Sequence, residues 1–432
     1  MPPPPAAAPS LPDEILEEIF LRLPPDEPEH LVRASLASKL WLGLLCGPRF
    51  RGRYHDHHGA PPMLGFLHTW LENWEDQGPV PHLTSTTKFG ARIPDHERDY
   101  SPLDCRHGRV LLGDDVNQIP MALVVWDPMT GRRRELEAPD LVVDSHGTAV
   151  LCAVGGCDHR ACHEGPFQVV FVCVGSKGDD DEDCVAYACV SLPETGDWSK
   201  PCPLFDQWGE PCPALLLPAE TFFEPTPPVL IEGAALHFML EVVDDDSVGI
   251  LKYDLSSHSL SLIDAPIEGS HIPTASILMA MEDGSLGFAH VSGSTLYLWS
   301  RLMGSDGVAS WSQRTIINLG NLFPIQNPEE SLTLVGSVEG RDVLFVPTEL
   351  GIYEINVESQ RWKKLWKRKK LHALIPYMSF YTIQKYHVYP FWNHTAKSIF
   401  CRKAATLINK KDGKLGGDKG VVMNKLAERI IL

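Results

Sequence analysis

The densest set of potentially reactive side chains is Cys152, Cys157, His159, Cys162 and His163, all between positions 152 and 163. Thiolates and imidazoles at such short spacings suit a tetrahedral zinc ion. A zinc finger, however, usually presents two ligand pairs set well apart, and here one cluster falls in a loop between expected strands. Free loop thiols are therefore the expectation; no metal site is assigned, and no cofactor is expected. The runs Asp179-Asp180-Asp181-Glu182-Asp183 and Asp244-Asp245-Asp246 lack the alternating ligands and the Gly of a calcium loop. They read as solvated loop tips. The chain shows no phosphate-cradling Gly-rich loop, no H-E-x-x-H helix and no nucleophile elbow. This inventory points to a protein that binds rather than one that catalyses.

Most of these residues lie in a long body built from short β-like runs. Val110-Leu111-Leu112, Ala122 to Trp126, Phe167 to Val174, Gly249 to Tyr253, Ser294 to Trp299 and Asp342 to Val346 are apolar runs bounded by Gly, Pro, Asp or Asn. A faint repeat relates Leu123–Arg132, Ile250–Ser259 and Gly351–Gln360: a strand with an aromatic, then Asp or Asn at a corner, then a second strand. Asp and Asn suit that corner because their side chains bond the backbone two residues on. Strand–turn–strand units at long intervals predict propeller blades of about 40–50 residues. Residues 85–381 would hold about six of them. A β-sandwich or two smaller β-domains is the competing reading.

Bulk properties agree with a multidomain chain. The 432 residues, 44% of them hydrophobic, are enough for a sizeable core, and 34 Gly with 36 Pro favour many short elements. The net charge of −18 is unevenly spread: roughly 16 of the 38 Lys and Arg, but only about 3 of the 56 Asp and Glu, lie from Lys363 onward. An acidic body argues against a nucleic-acid partner. Lys363-Lys364-Leu365-Trp366-Lys367-Arg368-Lys369-Lys370 reads equally as an import signal, an anion-binding patch or a Lys-protected strand edge. No apolar run approaches the roughly 18 residues that span a bilayer, so no membrane partner is expected. Eleven Cys do not form a disulfide framework, and reduced thiols in the cytoplasm or nucleus are the simplest reading. Residues 1–9 read as a disordered Pro/Ala leader.

The start of the chain is different in kind. Over 11–23, Pro12 suits a first helical turn, and Asp13 and Glu14 suit the positive end of the helix dipole. Ile15, Leu16, Ile19, Phe20 and Leu23 recur at helical steps, and Pro24-Pro25 stops the run. Leu31, Val32 and Leu36 suggest a second helix; Leu40, Trp41, Leu44 and Leu45 suggest a third, ended by Gly47-Pro48. Three short helices cannot bury this many large apolar groups among themselves, so part of the surface is expected to meet something else.

The order Leu11-Pro12-Asp13-Glu14-Ile15-Leu16, Ile19, Leu23-Pro24, Leu31-Val32-Arg33 and Leu36-Ala37-Ser38-Lys39-Leu40-Trp41 resembles an F-box. Leu40 stands where a basic residue is usual, and Asp26–His30 is unusually acidic. Phe50 to Leu67 resembles the continuation seen in large plant, especially grass, F-box families. The body resembles the β-propeller-like domain that follows the F-box in many plant proteins. That likeness rests on Val125-Trp126-Asp127-Pro128-Met129-Thr130-Gly131, Ala149–Ala153, Gly165-Pro166-Phe167, Leu296–Trp299 and Ile375–Tyr381.

The resemblance implies an α+β multidomain chain: a three-helix F-box at 10–55, a linker at 56–84, a propeller at 85–381 and a basic, poorly ordered tail at 382–432. It implies a non-catalytic substrate receptor of an SCF-type cullin–RING ubiquitin ligase, with an unknown protein substrate. The Skp-type adaptor would be met or supported by Leu11, Pro12, Ile15, Leu16, Ile19, Leu23, Leu31, Val32 and Trp41. The alternative is a ligand- or protein-binding propeller that acts independently of any ligase.

Overall fold

The computed structural model describes residues 11–383, apart from 70–82, 89–99, 115–120, 177–182, 200–214, 244–246, 268–274, 326–331, 368–370 and a few shorter gaps. The acidic runs noted above fall wholly or largely in these gaps, as does His163. The chain divides into two units. One comprises residues 1–65, 85–90 and 378–432; the other comprises 66–84 and 91–377.

The first unit is helical: α1 (Asp13–Leu21), α2 (Pro28–Ala37), α3 (Lys39–Leu45) and α4 (Pro48–His58). Pro12 precedes α1, its carbonyl accepting from the Ile15 and Leu16 N–H groups, and Asp13 and Glu14 occupy the first turn. The Ser38 side chain caps α3 by accepting from the Leu40 N–H at 3.2 Å. The helix α4 corrects the expectation of three helices. Gly47-Pro48 ends α3 but also starts α4, because Pro at the first helical position sacrifices an N–H that has no partner there.

The second unit is a six-blade β-propeller. The strands β1 (Met63–Thr69) and β2 (Leu83–Ser85) lie in the stretch expected to be a linker, which corrects that boundary. Blade 1 holds β3 (Ser101–Arg106), β4 (Arg109–Gly113), β5 (Ala122–Trp126) and β6 (Arg133–Glu137). Blade 2 holds β7 (Ser145–Cys152), β8 (Phe167–Ser176), β9 (Asp183–Val190) and β10 (Leu215–Pro218). In blade 3 the inner position is shared by β11 (Thr221–Phe223) and β12 (Val229–Ile231), both paired with β13 (Ala235–Val242), followed by β14 (Ser247–Asp254) and β15 (Ser259–Asp264). Blade 4 holds β16 (Ser276–Ala280), β17 (Leu286–Ser292), β18 (Thr295–Met303) and β19 (Ala309–Asn318). Blade 5 holds β20 (Gly336–Val338), β21 (Val343–Thr348), β22 (Gly351–Asn356) and β23 (Trp362–Trp366). The sixth sheet runs β2-β1-β24, so β24 (Ala373–Met378), the last strand, pairs with the first. This pairing of the two chain ends closes the ring without leaving an edge between its first and last strands.

Blades pack face to face. Leu111, Leu123 and Val125 of blade 1 meet Val150, Val169 and Phe171 of blade 2 in one apolar cluster. A second cluster joins Val170 and Val172 of blade 2 to Phe238, Leu251 and Tyr253 of blade 3. A third runs through blades 3 to 5. A side chain at Gly336 would come within 2.2 Å of the Leu374 carbonyl oxygen of β24, so the inner strands of blades 5 and 6 approach as closely as only glycine allows. The three sequence repeats are the third strand and following corner of blades 1, 3 and 5. Asp127 accepts from the Met129 and Thr130 N–H groups, Asp254 from those of Ser256 and Ser257, and Asn356 from that of Ser359. The repeat is faint because blades 2 and 4 turn without it.

Candidate functional site

In the helical unit the expected docking residues separate into two sets. Leu16, Ile19, Leu23 and Leu31 are buried, together with Phe20, Ala34, Leu42, Leu45, Phe50 and Tyr54. Trp41 packs edge-on to Phe20, ring centroids 5.1 Å apart, and is half-buried. Val32 is also half-buried, whereas Pro12 is exposed. Leu11, Ile15 and Leu40 remain 38%, 37% and 47% exposed. Leu11 precedes α1 and Ile15 lies in its first turn. The first set supports the module, and the second is apolar surface without a core to enter.

Two polar groups tie this unit together. The buried Tyr54 hydroxyl donates to the Leu23 carbonyl at 2.8 Å, and burial pushes its ionisation well above the usual range. Arg53 of α4 spans Glu17 and Glu18 of α1, tying the fourth helix to the first. Beyond β24, Phe380, Tyr381 and Ile383 join the same apolar cluster, and Phe380 stacks on His55 at 4.1 Å. The Ile375–Tyr381 motif therefore ends in the helical unit rather than in the propeller, and Ile383 is packed although it was assigned to a poorly ordered tail. The rest of that tail lies outside the described residues.

In the propeller the innermost strands converge on one charged cluster. Arg106, at the end of β3, pairs with Asp104 two residues earlier and donates to the Pro228 carbonyl of blade 3. Its Nε lies 3.0 Å from Glu339 Oε2 of blade 5, too poorly aligned for a hydrogen bond. Asp104 in turn accepts from the Val150 N–H of blade 2 at 2.8 Å. One guanidinium thus links blades 1, 3 and 5, and its carboxylate partner reaches blade 2. Burial pushes the Asp104 carboxyl up to about 6, against the opposing pull of Arg106. Nearby in sequence to Pro228, burial and then Glu241 push Glu224 up to about 7. Each charged group of the Arg106 cluster is already engaged, so it offers neither a nucleophile nor a free acid–base pair; it bolts blades together.

The sequence carried no sign of this cluster, because Arg106 and Pro228 lie 122 residues apart and neither belongs to a motif. The loop cluster differs. Cys152, Cys157, His159 and Cys162 were singled out in the sequence, and the fold gathers their ligand atoms within 4.8 Å of one another.

Residues 8–53 match the F-box-like family model. The N-terminal unit therefore carries an F-box-like domain, followed in the chain by a six-blade β-propeller. No curated protein matches the chain at a significant level. Among solved structures, TolB from Acinetobacter baumannii is similar over 78% of this chain and 72% of its own, at 11% identity and a TM-score of 0.36. A prolyl endopeptidase is similar over 61% of this chain at 14% identity and a TM-score of 0.30, and the chain spans 33% of its length. The complex of the fission yeast SREBP–SCAP binding domains is similar over 69% and 70% of the two chains, at 13% identity and a TM-score of 0.33. These likenesses are remote, and the blade count rests on the strand pairing alone.

Proposed function

We propose that this chain is a substrate-receptor subunit of an SCF-type cullin–RING ubiquitin ligase. Its F-box-like domain docks on a Skp-type adaptor, and its propeller recruits a protein substrate, in the cytoplasm or nucleus, as in the plant families it resembles. The observation that carries the reading is the division within the F-box-like domain. Leu16, Ile19, Leu23 and Leu31 complete an interior, leaving Leu11, Ile15 and Leu40 exposed with Val32 and Trp41 partly so. Exposed aliphatic groups around a half-buried tryptophan suit the desolvated centre of an interface. The chain itself performs no bond chemistry in this reading; rate comes from holding the substrate near the charged enzyme.

The test is co-purification of the full chain with a Skp-type adaptor and cullin, compared with a chain lacking residues 11–50. Capture by the full chain and loss on deletion supports the reading. Capture that survives the deletion sinks it, and capture by neither chain leaves the ligase-independent propeller as the better account.

A further inference from the structure

We propose that the β7–β8 loop of blade 2 holds a structural zinc ion, ligated by the Sγ atoms of Cys152, Cys157 and Cys162 and by Nδ1 of His159. The three sulfurs and a ring nitrogen of His159 all lie within 4.8 Å of one another. The Cys162 Sγ to His159 Nδ1 distance is 3.6 Å. A tetrahedral ion with Zn–S near 2.3 Å and Zn–N near 2.05 Å sets sulfur and nitrogen about 3.6 Å apart. Paired sulfurs would stand about 3.8 Å apart, so the remaining closure asked of the loop is about 1 Å or less.

A zinc finger usually draws its ligands from two separated pairs. Here the fold replaces the second pair. Cys152 is the last residue of β7, fixed by its register opposite Phe167 of β8. Cys157 follows a tight turn in which its N–H reaches the Val154 carbonyl, with Gly156 at φ 65°. Cys162 is buried, its carbonyl accepting from the Gly165 N–H at 2.8 Å.

Three features beyond the ligands suit thiolates on a cation. The Val154 N–H donates to Cys152 Sγ at 3.5 Å and the His159 N–H to Cys157 Sγ at 3.4 Å, backbone bonds that orient each sulfur as outer-shell partners orient metal ligands. Arg109 of β4, only 3% exposed, donates to the Cys162 carbonyl and, at 2.7 Å, to that of Gly165. Its charge offsets the single net negative charge that three thiolates and a neutral imidazole leave on a divalent ion. His107, in the β3–β4 turn, stacks on His159 at 4.0 Å and holds the ring's orientation. His159 itself sits at φ 58°, a conformation that a non-glycine residue adopts at a cost and that ligation would offset.

Ordinary packing explains this loop poorly. Val154 is 41% exposed and Cys152 and Cys157 are only half-buried, so the thiols do not meet in order to fill a core. The loop joins two blades through His107 and Arg109 of blade 1, and a metal there would fix a long connection that has little apolar content of its own.

The experiment uses the full chain, purified under reducing conditions without chelator from cells supplied with zinc. Elemental analysis should return one zinc per chain, and exchange with cobalt(II) should give the visible absorption of a tetrahedral ion with sulfur-to-metal charge transfer. Cys157→Ser and His159→Ala should lose the metal, whereas Cys105→Ser should keep it. Because those variants could misfold, alkylation of the unaltered chain supplies a second reading. Cys152, Cys157 and Cys162 should resist modification until a strong chelator is added, with Cys46 and Cys105 indifferent to it. Substoichiometric zinc with chelator-independent alkylation overturns the proposal, and so does a disulfide among the three cysteines.

Discussion

At the start of the helical unit, Leu11 before α1 and Ile15 on it stand in solvent, while the charged pairs of Arg53 with Glu17 and Glu18 bind neighbouring helices together. At the hub of the propeller the arrangement is inverted: Arg106 and Asp104 are buried, and further out large groups such as Phe171 and Tyr253 are enclosed between blades. The helical unit leaves apolar area unused, which is the condition for docking. The propeller buries its largest apolar groups in blade contacts and places charge where it can fix blade positions, although aliphatic and aromatic groups such as Met303, Ile316 and Trp362 stay exposed on its outer strands. A partner of the helical unit would gain from burying Leu11, Ile15 and Leu40, whereas charge at the propeller hub is already committed to blade contacts, which leaves its loops and outer strands to meet a partner.

The sharpest way to break this comparison is at the hub. Arg106→Ala removes the cation from a buried carboxylate, from the Pro228 carbonyl and from its ion pair with Glu339, and should lower the propeller's unfolding free energy by about 3–5 kcal/mol. Denaturant melting followed by tryptophan fluorescence measures it. The double variant Arg106→Met with Asp104→Leu should recover part of the loss, because the buried ion pair is removed as a whole, although the Val150 N–H and the Pro228 carbonyl lose their partners and Glu339 its ion pair; recovery of none would mean that the charge is not what matters there.

The two sets in the F-box-like domain should respond oppositely. Leu16→Ala should destabilise the helical unit by about 2–5 kcal/mol. Ile15→Ala should leave its melting within about 0.5 kcal/mol of the original. It should nevertheless weaken adaptor binding by about 2 kcal/mol, roughly 30-fold by titration calorimetry. Equal effects of the two substitutions on folding would erase the distinction between support and contact.

A third probe is pH. Glu224 is pushed from an ordinary 4.5 to about 7, by burial and then by Glu241. The folded state therefore holds this proton where the unfolded state has lost it. Stability contributed by the protonated form is complete below about 4.5 and is lost as pH rises through about 7. Glu224→Gln should match the unaltered chain near pH 4 and exceed it at pH 8, by on the order of 2 kcal/mol. His146 and His237, each lowered to about 4 by burial, act in the opposite sense, so the comparison must be between variants across pH. The smallest effect should come from Tyr54→Phe, which removes the bond to the Leu23 carbonyl and should cost about 1 kcal/mol.

Legibility followed the range of the interactions. The first helices were readable because Pro12, Asp13 and the Ile15–Leu23 stripe act within a few residues, and the Asp127, Asp254 and Asn356 corners were readable for the same reason. Helix α4 escaped because its start reads as the end of α3, and its face, apart from Phe50 and Tyr54, is Arg, His and Gly. The strand β1 escaped because blade 6 is built from both ends of the propeller segment.

By itself the sequence determined that this chain carries an F-box-like segment, that strands with Asp corners follow it, and that thiols and imidazoles cluster near 152–163. Local steric and hydrogen-bonding preferences suffice for each of these. Only the tertiary structure decided which apolar residues of the helices are interior and which are surface, that Arg106 joins blades 1, 3 and 5, and that three cysteines and a histidine share one small volume. The first depends on how four short helices pack, the second on a ring that brings together residues 122 apart in the chain, and the third on the path of the loop between β7 and β8; no local pattern records any of these.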